Sequence, residues 1–324
     1  AQTLRGKPRS QILKMNKKDA GRQVVSAYDI AFESGKEKGK QGVLVNVGAL
    51  EVLFNKTDAL DIAWVKYKGN NVSFLSKNGL NSDIGEFANK FEGGFLYTCG
   101  MDNVSSCVGG KPVHGSLHYS PAENVYVTLS DDSAEIFGTV RRTALFGENI
   151  ALKRHFTVKE NEIVVCDTVC NEAYTDAKYV LLYHTNFGYP FLNESLKLEI
   201  PFVKSEGLTD YAKSRIGKQL QITEPIDGGD EEVFYNTLEK GEVTVTNEGL
   251  ETRVKVLYDV EDFPVLLQWK SMISGDYALG IEPSLTRFDD FKPRALAPGE
   301  KRQYKIKYAF GGLRTANRQD DEMV

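Results

Sequence analysis

Short runs in which apolar and polar residues alternate recur along this chain, and few folds can use them. Val125, Val127 and Leu129 alternate with Tyr126 and Thr128, and Leu196, Leu198 and Ile200 with Lys197 and Glu199. Val254, Val256 and Tyr258 alternate with Lys255 and Leu257, and Tyr304, Ile306, Tyr308 and Phe310 with Lys305, Lys307 and Ala309. Successive side chains of a strand point to opposite faces, so each run has one face for a core and one for solvent. Turn-forming stretches such as Asp227-Gly228-Gly229 and Pro298-Gly299 separate the runs. No amphipathic helices intervene to make parallel crossovers, which leaves an all-β, antiparallel sandwich or barrel.

The first part of the chain reads differently. Residues 1–41 are polar and rich in Lys and Gly, with a weakly helical piece around Gln23 to Ser34, and are expected to be a leader on the domain edge. Strand-like segments begin near Gly42, and residues 80–92 have room for a short helix. No Gly/Ser/Pro linker divides residues 42–312, which read as one domain, and 313–324 form a polar tail.

Charge and cysteine usage exclude several classes. A net charge of −5 over 324 residues gives no basic surface for nucleic acid. No apolar run approaches the ~18 residues of a membrane span, and no apolar stretch follows the basic start as a secretory signal requires. A cytoplasmic location is therefore expected. Four cysteines are too few for a disulfide scaffold. Cys166 and Cys170 share one strand-like run and would stand ~13 Å apart, too far for a bond that needs Cα atoms within ~7 Å. Cys99 and Cys107 flank a loop with no histidine cluster, so no metal site is expected.

Polar groups in apolar strands mark the candidate site. In Leu181-Leu182-Tyr183-His184-Thr185-Asn186-Phe187-Gly188, one face carries Leu182, His184 and Asn186, and the other Leu181, Tyr183, Thr185 and Phe187. A buried imidazole and amide need partners, which a polyhydroxylated ligand or a backbone carbonyl can supply. In Tyr277-Ala278-Leu279-Gly280-Ile281-Glu282, the small residues Ala278 and Gly280 share a face with Glu282, as though leaving space above the sheet. His114 falls in the loop Lys111-Pro112-Val113-His114-Gly115. Arg154 shares the apolar face of Leu152, Phe156 and Val158, and an inward arginine calls for a carboxylate or a polar ligand. Trp269 is a candidate to stack on a sugar face, although indoles in sheets more often pack in cores. No G-x-S-x-G elbow, P-loop or dinucleotide fingerprint occurs.

Taken in order, Tyr97-Thr98-Cys99-Gly100-Met101-Asp102-Asn103, His114-Gly115 with Ser120-Pro121-Ala122, Tyr183-His184-Thr185-Asn186-Phe187-Gly188-Tyr189-Pro190 and Gly280-Ile281-Glu282-Pro283 resemble the aldose 1-epimerase (galactose mutarotase-like) superfamily. The likeness spans roughly residues 42–312 and is greater to a branch known as a domain of unknown function. It implies a large antiparallel β-supersandwich with a sugar in an open cleft. It further implies His184 as general acid and Glu282 as general base, with His114 binding near the ring oxygen. Asn186, Asp102, Asn103, Arg154 and Trp269 are the further candidate substrate contacts. Where better-known mutarotases carry a substrate-binding arginine in Gly-Arg-x-x-Asn, this chain has Gly100-Met101-Asp102-Asn103. Arg154 or Lys270 is the candidate to compensate, and either would favour an anionic sugar. The resemblance implies an isomerase that interconverts anomers of a free sugar without cofactor or metal. A carbohydrate-binding or sensing protein that kept the cleft and lost turnover is the alternative. A small sugar is the expected partner, with no nucleic acid or membrane, and the chain a monomer or homodimer.

Overall fold

The computed structural model describes residues 23–81, 86–106 and 110–313. Two antiparallel sheets dominate. The larger, of eleven strands, runs in spatial order Val25–Ala31, Gln41–Val47, Leu50–Asn55, Asp61–Tyr67, Leu96–Gly100, Leu181–Phe187, Asp276–Ser284, Val265–Ile273, Glu232–Leu238 and Phe202–Gly207, with Asn70–Asn71 beside Asp61–Tyr67. The smaller runs Lys197–Glu199, Glu242–Asn247, Thr252–Tyr258, Lys301–Gly312, Glu162–Asn171, Asn149–Lys159, Ser133–Thr143 and Ala122–Leu129.

The alternation read from the sequence decides which faces meet. Val254, Val256, Tyr304, Ile306, Tyr308 and Phe310 are all buried against the larger sheet, whose inner face supplies Val45, Phe54, Ile62, Leu181, Phe187 and Ile281. Rings interlock across the interface, Phe54 on Phe156 at 4.9 Å and Phe95 on Tyr308 at 4.9 Å. Each such side chain contributes about 1.5–3 kcal/mol by leaving water, which places the main stabilisation between the sheets. The run ending in Leu129 is the outermost strand of the smaller sheet, so Leu129 stays exposed.

Two expectations near the N-terminus change. The piece around Gln23 to Ser34 is not helical: Val25–Ala31 is an edge strand, in register from Val25 against Val47 to Ala31 against Gln41. Pairing with an available sheet edge supplies backbone partners that a weak local helix preference cannot outweigh. The remainder of the expected leader, residues 1–22, and the tail from 314 lie outside the described residues, as does Cys107. The short helix expected within 80–92 is the single turn Phe87–Lys90. No helix among the described residues is long and apolar enough to cross a membrane.

The larger sheet also buries part of its outer face. Tyr97, Cys99, Leu182, Tyr235 and Leu267 form a second apolar cluster there with Val104 and Val180. The turn Phe87–Lys90 and the loop after Gly100 cover this face, and the candidate site opens between them and the sheet.

Candidate active site

The strands Leu181–Phe187 and Asp276–Ser284 are neighbours, and their register is bracketed by Leu182 against Ser284 and Thr185 against Ile281. That register sets His184 directly opposite Glu282, where side chains on one face of adjacent strands touch. His184 Nε2 lies 3.2 Å from Glu282 Oε1. The alignment is not that of a hydrogen bond, and neither Glu282 Oε1 nor His184 Nδ1 has a hydrogen-bond partner. The two groups stand side by side on the floor of a cavity of about 630 Å³. On the other flank of His184 the sheet places Tyr97, its partner in the next strand.

Gly280 explains how the floor is so compact. A Cβ there would stand 2.5 Å from Glu282 Oε1, 3.0 Å from Trp269 Cβ and 3.2 Å from His184 Cε1. The space inferred above Gly280 is thus not left for a ligand. It is taken up by the approach of His184, Glu282 and Trp269.

Rings hold the imidazole from three sides. Phe91 (5.9 Å), His114 (5.6 Å) and Trp269 (5.5 Å) each meet the His184 ring at a steep angle. Phe87 and Phe91 come from the single helical turn, whose end is fixed by Ser76 Oγ and Asn78 Nδ2 donating to the Phe91 carbonyl at 2.5 and 3.0 Å. Trp269 lines the cavity, and its indole N–H donates to Glu231 at 2.8 Å.

His114 reaches the cavity from a loop with unusual backbone. Met101 and His114 are left-handed, at φ 60 and 61, a conformation that costs non-glycine residues energy and recurs at functional sites. Gly115 is left-handed too, and a Cβ on it would collide with the carbonyls of Asn103 and Gly100 at 2.3 and 2.4 Å. Asn103 ties the loop by donating to the carbonyls of Ser106 (2.8 Å) and Pro112 (3.0 Å), while Asp102 accepts from the Ser116 N–H at 2.9 Å. With Nδ1 3.1 Å from the Val104 carbonyl, His114 donates there and keeps Nε2 as an acceptor. Burial holds its pKa below the ordinary histidine value.

Several candidate contacts therefore do other work. Asp102 and Asn103 build the loop that carries His114 and are not among the residues lining the cavity. Asn186 is buried on the same face of the strand as His184, with Nδ2 on the His184 carbonyl at 3.2 Å and Oδ1 without a partner. Arg154 is a correction of a larger kind. Its fully buried guanidinium lies between the sheets, bonded to Asp61 (2.6 Å), Asp167 (3.0 Å), the Ala59 carbonyl (2.8 Å) and Thr98 (3.1 Å). Tyr183 also donates to Asp167 at 2.7 Å. Tyr183 faces inward because its neighbour His184 faces outward, so Arg154 is separated from the cavity by the thickness of the sheet. Lys270 is likewise consumed, paired with Glu232 at 3.1 Å on the face opposite Trp269.

The reading of single strands missed Phe87, Phe91, Leu208, Glu231, Phe288 and Asp289, all of which line the cavity. They arrive from loops and from a one-turn helix, where no periodicity marks a side. It also missed a buried polar cluster of Asp58, Glu92 and His118, whose donor atoms lie within 4.8 Å of one another. Lys40 pairs with Asp58. His118 lies 2.8 Å from Asp61 and 3.5 Å from Glu92. Burial opposes its charge, but these carboxylates raise its pKa to about 10. Lys40, Arg154 and His118 thus stand against Asp58, Asp61 and Glu92 as counter-charges.

Burial governs the central pair. It raises the Glu282 pKa to about 8, with Glu231 adding to the effect, and holds His184 well below the ordinary histidine value, with His114 adding there. At neutral pH the pair is thus a carboxylic acid beside a neutral imidazole, with one acidic proton to share between them.

Solved structures with this fold define its class. The chain superposes on a protein from Klebsiella pneumoniae, provisionally assigned as an aldose 1-epimerase, at a TM-score of 0.79 and 20% identity, over 89% of this chain and 88% of that one. A galactose mutarotase-like protein from Clostridium acetobutylicum follows at 0.67 and 14%, over 90% and 100%. Galactose 1-epimerase from Lactobacillus acidophilus superposes at 0.62 and 12%, over 89% and 99%. The architecture is the galactose mutarotase-like β-sandwich. Within it, the chain belongs to the family described as a domain of unknown function, DUF4432, which matches residues 37–309. No curated protein matches the chain.

Proposed function

We propose that this protein is an aldose 1-epimerase-like isomerase that interconverts the anomers of a free sugar. The observation that carries the reading is the His184–Glu282 pair, 3.2 Å apart on the floor of an open cavity, with bonding capacity unused. Mutarotation needs a base for the anomeric hydroxyl proton and an acid for the ring oxygen. Glu282 is assigned as base and His184 as acid. Glu282 removes the proton from O1 as the C1–O1 bond becomes a carbonyl; the bond from C1 to the ring oxygen breaks, and His184 protonates that oxygen. Rotation about C1–C2 presents the other carbonyl face, and the reverse transfers close the ring.

Those roles require the shared proton on His184, whereas burial alone places it on Glu282. The two arrangements hold the same number of protons, so passing between them takes no proton from solvent. Hydroxyl dipoles of a bound sugar favour the ionised arrangement by solvating it. His114, accepting through Nε2, suits a sugar hydroxyl beside the ring oxygen.

Polarimetry and exchange NMR on a panel of free aldoses test the proposal. Glu282→Gln and His184→Asn are expected to slow equilibration of an accepted sugar at least 100-fold, the scale of general acid–base catalysis. Turnover retained in either variant refutes the assigned role. Binding without anomer exchange in the unaltered protein makes it a carbohydrate-binding protein instead.

A further inference from the structure

The walls of the cavity say more about its ligand than the floor does. Among the described residues, three carboxylates line it, Glu282, Glu231 and Asp289, and no lysine or arginine does. The cations expected to receive an anionic sugar are engaged elsewhere, Arg154 between the sheets and Lys270 with Glu232. Arg287, beside the mouth, is held by Asp289 at 2.8 Å and Glu206 at 3.1 Å and lies over the Tyr235 ring. An anionic group entering would lose its water and face the Glu231 carboxylate, with no unengaged lysine or arginine among the lining residues to receive it.

The second constraint is apolar. Beyond Glu282 the sheet continues through Leu267, Val233 and Tyr235 to Leu208 and Phe288, one cluster on the outer face. Phe87 and Phe91 belong to the same apolar cluster and line the cavity as well. The cavity lining is thus largely apolar, with Phe87, Phe91, Leu208, Val233 and Phe288, and its polar positions besides the pair are His114, Ser105, Ser106, Thr209 and the two further carboxylates. A sugar hydroxyl laid against the apolar lining would give up water without gaining a partner, whereas a methyl or methylene gains by the contact.

We infer that the cavity selects an uncharged aldose with an apolar position, a deoxy sugar of the 6-deoxyhexose type, and rejects aldoses bearing a carboxylate, sulfonate or phosphate. This rests on the proposed mutarotase reading for the pose of the sugar but concerns its recognition.

Two series that differ only at C6 test it: D-galactose, D-fucose and D-galacturonate, and D-glucose, 6-deoxy-D-glucose and D-glucuronate. Saturation-transfer NMR reports binding, and exchange NMR reports anomer interconversion. The expected order is the 6-deoxy sugar about tenfold ahead of its hydroxymethyl parent, the size of a single buried contact, with the uronate neither bound nor turned over. A uronate that equals or exceeds its parent overturns the inference, as does parity between parent and deoxy sugar, or no binding by any of the six. Binding in the expected order without exchange supports the inference and refutes turnover. Glu231→Gln keeps an oxygen for the Trp269 N–H while removing a charge, and is expected to raise uronate binding measurably. No change there also counts against the electrostatic part.

Discussion

Replacing Glu282 by glutamine isolates the effect of burying one carboxyl, because shape and oxygen are kept and titration is lost. In the folded chain the Glu282 carboxyl holds its proton up to about 8, against an ordinary value of 4.5. Its side chain is 3% exposed, so solvent screens little of this. The unfolded chain releases that proton at the ordinary value. Between the two pH values the unfolded state therefore binds fewer protons, and stability falls as pH rises. The slope is about 1.4 kcal/mol per pH unit, and the whole effect is roughly 4–5 kcal/mol, levelling above pH 8. His184 titrates in the opposite sense and stands 3.2 Å from residue 282, so the comparison is repeated with His184→Asn in both proteins to remove its contribution. Urea unfolding of the two proteins at pH 5, 6.5, 8 and 9 should show the glutamine variant gaining on the unaltered protein by ~4 kcal/mol from pH 5 to 8 and no further by pH 9. A stability gap that does not change across that range would mean that Glu282 is already ionised in the folded protein. The neutral pair would then be wrong.

Three other perturbations follow from the geometry. Gly280→Ala drives a Cβ into Glu282, Trp269 and His184; anomer exchange should drop at least tenfold while thermal unfolding registers only an overpacking cost of about 1–3 kcal/mol. Arg154→Met leaves Asp167 buried without a cation and Asp61 with His118 alone and should destabilise by about 3–5 kcal/mol in denaturant titrations. Adding Asp61→Asn and Asp167→Asn should recover part of that loss, and no recovery would contradict the charge argument. Asn186→Leu removes the amide bonded to the His184 carbonyl; steady-state kinetics should show kcat reduced about tenfold with KM held, and a raised KM alone would make Asn186 a substrate contact after all.

How much of the site can be read in the residues depends on which rule governs each of them. His184 and Glu282 stand out because a strand alternates, and a polar group on an otherwise apolar strand is anomalous wherever its neighbours lie. The inward turn of Arg154 is legible for the same reason. Its partners are not, since Asp61 lies 93 positions earlier in the chain and becomes a neighbour only when the sheets stack. Asp102 and Asn103 show the limit of motif reasoning. Their place beside Gly100 suggests contact with a sugar, but their short side chains find backbone groups of their own loop first. Val25–Ala31 shows the same limit for elements, because its strand state comes from an edge contributed by Gln41–Val47.

The order of residues alone determined the all-β class, which faces of the strands are apolar, and that an imidazole and a carboxyl depart from the pattern. These follow from the two-residue period of an extended chain, a local property. Folding decided that Leu181–Phe187 and Asp276–Ser284 lie side by side, that Phe87, Phe91, Glu231 and Phe288 wall the cavity, and that Arg154 is enclosed between the sheets. Proximity across a sheet is set by which strands pair and in what register, so the burial that moves the Glu282 proton exists only in the assembled fold.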